Sequence, residues 1–165
     1  MNSLMEISQR MKEINRGAPW FGTSLEEILS SISYEQALFI PEGGDKHIAH
    51  YLSHLVQWRL FCLDKMLRGI VGNIQLDTQE DWPLLTPSSP HEWGKLQTTY
   101  IELTDKLIDS IHGFDEDRLM ETVPGKDYLF GWLLKGIIDH DLYHFGQISL
   151  LSRLATAASK NRGKH

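Results

Sequence analysis

The chain has 165 residues, 41% hydrophobic and 23% charged, with a formal net charge of −6 at pH 7. That length suits one domain with a buried core, and the acidic balance leaves no basic footprint for nucleic acid. Its single cysteine, Cys62, excludes an internal disulfide and fits a reducing, cytoplasmic setting.

Residues 1–16 mix Glu6, Arg10, Lys12 and Glu13 with apolar positions, so they read as an amphipathic helix and not as a signal peptide. Leu4, Ile7, Met11 and Ile14 set a helical period over Ser3 to Asn15, which Gly17 and Pro19 stop. A short helix is expected from Thr23 or Ser24, capped through Glu26 or Glu27, to about Ile32. Ser33 with Gln36 forms a second capping box and opens a turn through Leu38; Pro41 to Gly44 is loop. The next long helix runs from about Asp45 to Leu67 and ends near Gly69 or Gly72. Residues 73–88 hold Pro83 and Pro87 and little periodicity. A connection of that length predicts a crossover to a helix that is not the immediate antiparallel neighbour.

Ser89 as N-cap, Pro90 in the first turn and Glu92 completing a box mark the start of the third long helix. Its stripe of Trp93, Leu96, Tyr100, Leu103, Leu107 and Ile111 ends at Gly113. Asp115 to Glu121 suits a short helical turn, and 123–127 a loop. The fourth helix is expected from Tyr128 to Ala158 and is apolar on nearly every side, as for a helix buried between neighbours or between subunits. No apolar run is long enough to cross a membrane. The fold class is all-α: a four-helix bundle with its first helix broken near Gly17 and a long crossover between the second and third long helices. One domain is expected over residues 1–158, followed by a polar tail, residues 159–165.

The fourth helix carries His140 and His144. Four residues apart on a helix, they lie about 40° apart around the axis and one turn apart along it. Their imidazoles can converge on one ion, and two imidazoles on an apolar face otherwise need partners. A third ligand must come from another helix. His47, His50 and His54 share an arc of roughly 60° on the second long helix. His54, set among Leu52, Leu55 and Trp58, lies deepest and is favoured. A lone helical histidine is more often a hydrogen-bonded core residue; three on two apolar helices favour a metal.

The pattern is not His-Glu-x-x-His, because Asp141 stands where a metalloprotease has glutamate, which disfavours peptidase activity. Asp141 and Gln147 are candidates for supporting a ligand or substrate, with surface, capping or packing roles as the plainer alternatives. Tyr143 reads as an interface or core residue and Cys62 as core. His91 and His112 are assigned no site role, His112 suiting a helix C-terminus. Trp20 and Trp82, in loops, are placed to line a pocket mouth.

These residues resemble the DinB/YfiT-like superfamily, and the resemblance covers most of the chain. It is carried by Pro19 to Leu29, by His54 to Arg59, by Asp81-Trp82-Pro83, by Ser89 to Trp93 and most strongly by Gly136 to Ile148. The family's first histidine stands four residues before a tryptophan, which matches His54 with Trp58. Its closing pair, followed by glycine-glutamine, matches His140 and His144. His50 is outside that pattern and is kept as an extra contact.

The resemblance implies a four-helix bundle with one metal on three histidines, zinc or nickel foremost; imidazole alone also suits copper and iron. It implies either a transferase or isomerase using a low-molecular-weight thiol such as bacillithiol or mycothiol, or a metal-dependent hydrolase. The expected substrate is a small molecule, and the expected assembly a homodimer. The rival is a non-enzymatic metal-binding or stress-related bundle, which a fourth protein ligand such as His50 would favour by closing the site.

Overall fold

A computed structural model describes residues 3–162. Among these residues six α-helices make up the architecture: α1 (Ser3–Arg16), α2 (Leu25–Ser30), α3 (Tyr34–Ala37), α4 (Ile48–Leu63), α5 (Pro90–His112) and α6 (Phe130–Arg162). One π-helical turn, Asp64–Arg68, prolongs α4, and a 3-10 turn spans Glu116–Met120. No strand occurs among the described residues; Thr122 and Leu129 form an isolated bridge.

Local chemistry explains most helix ends. Ser24 accepts from the Glu27 N–H, and Ser33 and Gln36 form a full capping box. Ser89 accepts from Glu92 N, but the Glu92 carboxylate bonds Ser88 N and Oγ, so this box is only half closed. α4 begins at Ile48 and not near Asp45, because His47 is itself the cap: its Nδ1 accepts from the His50 N–H at 3.2 Å. Gly69, at φ 62°, ends the π turn in the left-handed region that favours glycine. α6 continues past Ala158 to Arg162, with Ala155 buried and Ser159 Oγ bonding back to its carbonyl. Residues 163–165 of the expected tail lie outside the described residues.

Two apolar clusters lie along the bundle. One joins Met11 and Ile14 of α1, Phe61 and Cys62 of α4, Leu107 and Ile111 of α5, and Leu134 and Ile137 of α6. The other joins Leu25 and Leu29 of α2, Leu52 and Leu55 of α4, Trp93 and Tyr100 of α5, and Phe145 and Ile148 of α6. The first halves of α4 and α5 thus share one end, their second halves the other, and the two helices run in the same direction. α6 runs opposite to both. The segment 69–89 carries the chain back along the bundle between the parallel pair. α1 fills its corner only at the end of the first cluster, beside the second halves of α4 and α5, with Ser8 Oγ 2.9 Å from His112 Nε2; α2 and α3 fill it at the other.

Between the clusters sits a buried polar knot. Arg59 of α4 pairs with Asp141 of α6 and donates to Tyr100 Oη (3.1 Å) and Thr104 Oγ1 (3.3 Å) of α5. Tyr100 donates to Asn15 Oδ1 of α1 at 2.5 Å, so all four long helices meet here. Burial, the largest single influence, disfavours the guanidinium charge, but Asp141 and Tyr100 together outweigh it and hold Arg59 protonated.

α6 is not enclosed on all sides within one chain. Trp132 and Tyr143 are 64% and 65% exposed, and Leu150 and Leu154 lie on the same outer side. No helix is long and apolar enough to cross a membrane among the described residues.

Candidate metal centre

His54 projects from α4 towards His140 and His144 of antiparallel α6. One ring nitrogen from each of the three lies within 4.8 Å of the others. His54 Nε2 is 2.8 Å from His140 Nε2. The ring centroids of His54 and His144 are 4.7 Å apart, and those of His140 and His144 4.5 Å. Among the described residues this is the one cluster of three or more metal-ligating side chains.

The second nitrogen of two rings is already engaged. His54 Nδ1 donates to the Asp81 carbonyl at 2.7 Å, which leaves the lone pair on Nε2. His144 Nδ1 donates to Gln147 Oε1 at 2.6 Å, which likewise frees Nε2. His140 Nδ1 is buried without a hydrogen-bond partner. Burial, reinforced by the neighbouring histidines, pushes His140 down to about 3 and His144 to about 4. Burial also lowers His54, against the opposing pull of Asp81. All three are therefore neutral near pH 7, the state in which imidazole binds a cation.

The donor set fits a divalent ion. A tetrahedral zinc holds nitrogens at about 2.0–2.1 Å, hence roughly 3.4 Å from one another. The three histidines need only small side-chain movements to reach that spacing. Two of them already carry the outer hydrogen bond that metal-binding histidines generally make.

The crossover completes the cluster. Trp82 stacks on His54, with centroids 3.9 Å apart and planes within 10°. Asp81 Oδ1 accepts from Trp58 Nε1 at 2.9 Å and lies 3.1 Å from His54 Nδ1; Oδ2 accepts from Asp77 N at 3.1 Å. Sequence reasoning placed Trp82 at a pocket mouth but gave Asp81 no role of its own. Its partners Trp58 and His54 lie 23 and 27 residues away, and the only hint was its place in the family motif. Tyr51 was missed too; its ring packs on Trp82 at 5.5 Å and His144 at 5.6 Å.

The other candidates fall in several places. Gln147 accepts from His144 of the cluster. Asp141 instead faces Arg59 and Asn15 on another side of α6, so its carboxylate serves the polar knot. His50 stacks on His47 at 3.6 Å and is not in the three-histidine cluster. Cys62 is buried and raised to about 12, which makes it a core thiol. Trp20 is 96% exposed.

Beside His140 opens a cleft of about 290 Å³, walled chiefly by Trp58, Tyr128, Trp132 and Ile137, with Lys126 at its edge.

The family model described as the DinB superfamily matches residues 22–148, a span that includes all three histidines. No curated protein and no solved structure matches the chain.

Proposed function

The chain belongs to the DinB superfamily, and from that premise we propose that it is a metal-dependent enzyme acting on a small molecule. His54, His140 and His144 are its ligands, and zinc or nickel is the ion. The observation that carries this reading is the convergence of three neutral imidazoles, two of them oriented from behind by Asp81 and Gln147. A divalent ion bound there supplies Lewis acidity, lowering the pKa of a water or thiol in the position that three ligands leave open.

The surrounding residues favour a low-molecular-weight thiol over water. Among the described residues, the carboxylate that touches the cluster is Asp81, and it is committed to Trp58 and Asp77. Among the described residues no carboxylate is free at the cluster to take a proton. A thiol, ionising near 8.5, needs less help than water at about 15.7. Cys62 is too buried to serve, so the thiol comes from outside. A thiol transferase is the first reading and a hydrolase the second.

A structural metal site would be closed by a fourth protein ligand; His50, the one residue that suited that role, stacks on His47 instead, which supports an open site. The outward apolar side of α6 suits a homodimer. A screen of thiol conjugation against hydrolysis, run across zinc, nickel, iron and copper, tests the reading. Turnover with thiol that disappears in His140→Ala is expected; no turnover in either arm would favour a non-enzymatic bundle.

A further inference from the structure

The cleft beside His140 has a particular chemistry. Three aromatic rings, Trp58, Tyr128 and Trp132, and the aliphatic Ile137 form its walls. Among the described residues, Lys126 is the one charged residue that lines it. The Lys126 ammonium lies over the Phe61 and Tyr128 rings, at 5.4 and 5.9 Å, and no carboxylate pairs with it among the described residues. A half-buried cation beside an apolar cleft, with no anion of the protein's own, is matched by an anion on the ligand.

Two features hold that arrangement ready. Lys65 Nζ donates to the carbonyls of Ile70 (2.8 Å), Gly72 (2.7 Å) and Pro124 (2.6 Å), which clamps the crossover to the loop bearing Lys126. Gly125, at φ +73°, lets that loop close: a Cβ there would stand 2.3 Å from Val71 O. The second feature is Gly136, one turn before His140 and lining the cleft. Glycine in mid-helix is destabilising relative to alanine. A Cβ built on Gly136 meets nothing within 4 Å, so close packing does not demand glycine there. Its missing side chain keeps the cleft open next to the ligand histidine.

We propose that this cleft binds a small molecule with a planar apolar body and a carboxylate, the carboxylate paired with Lys126 and the opposite end directed to His140. The direction of the reacting end rests on the three-histidine reading; binding in the cleft does not. The probes are 3-phenylpropionate and its neutral amide, titrated calorimetrically into the full-length protein as purified, with metal content measured on every sample. Any attraction of the carboxylate to a metal is common to wild type and Lys126 variants, so the Lys126 effect is read as a difference.

Wild type is expected to prefer the carboxylate. Lys126→Gln should cut that preference about fivefold, and Lys126→Arg should keep it. Gly136→Leu should weaken both probes roughly tenfold or more by filling the cleft, with metal content and helical content unchanged. An undiminished preference in Lys126→Gln, wild-type affinity in Gly136→Leu, or no binding of either probe to wild type would overturn the proposal. Absence of metal from the wild type would count against the metal-enzyme reading and leave the carboxylate preference measurable.

Discussion

His54 of α4 and His140 of α6 face each other Nε2 to Nε2 at 2.8 Å, across two antiparallel helices. His54 already spends its ring proton on the Asp81 carbonyl, so it meets His140 with a lone pair. Such a contact is satisfied by a shared proton or by a cation. With His144 completing the set, the three imidazoles form a cluster that could hold one cation.

The outer hydrogen bonds predict a graded effect on affinity. Gln147→Leu removes the acceptor that fixes the His144 tautomer. Metal affinity should fall about 10–100-fold, with one ion still bound at saturation. Gln147→Glu should retain most of it. Competition against a chromophoric chelator measures this, and an unchanged affinity in Gln147→Leu would remove Gln147 from the site.

Acid should destabilise the metal-free protein earlier than a chain with ordinary histidines. Burial holds His140 at about 3, and His47 and His144 at about 4, whereas unfolded histidines titrate near 6.5. Between those limits the unfolded chain binds more protons than the folded one. Stability is therefore unaffected above about pH 7 and falls as pH drops through 6.5 towards 4. The melting temperature of chelator-treated protein should decline over that window. Saturating metal should hold it up in the upper part of the window, and coincident profiles with and without metal would contradict the assignment of His140 and His144.

The polar knot predicts damage to stability and not to the metal site. Arg59 and Asp141 are essentially inaccessible, 0% and 1% exposed. Asp141→Ala leaves a buried guanidinium unpaired and should cost about 3–5 kcal/mol in urea unfolding. The double variant Arg59→Met with Asp141→Leu should recover part of that loss. Folded protein carrying the double change should still bind one metal; loss of metal would mean that Asp141 acts on the site after all.

A homodimer through α6 predicts a specific disruption. Wild type should sediment as a dimer at micromolar concentration, and Trp132→Glu combined with Leu150→Glu should yield folded monomer. A monomeric wild type would leave the exposed side of α6 without the proposed partner.

The sequence was most legible where the signal is local. Ser33 with Gln36 and Ser89 with Pro90 mark helix starts through contacts three residues long, and both stand in the structure. The pair at 140 and 144 is fixed by helical spacing alone. What stayed hidden depends on distant partners. His47, His50 and His54 share an arc; His47 caps α4 through the nearby His50 N–H, whereas only the tertiary packing brings His54 to α6. Sequence reasoning gives Arg59 no role of its own, because its partners Tyr100 and Asp141, with Asn15 behind Tyr100, come from three other helices. Asp81 and Trp82 look like crossover loop, and their role exists only once the return path lays them against His54. Lys65 is buried because carbonyls from two loops surround it, a pattern that no periodicity records.

The most direct measurement is metal stoichiometry by mass spectrometry on protein purified without an affinity column, for wild type, His54→Ala, His140→Ala and His144→Ala. The account predicts about one zinc or nickel per wild-type chain, set by three ligands, and loss of most of it in each variant while the helical signal persists. Full retention of metal in His54→Ala and His140→Ala would contradict it.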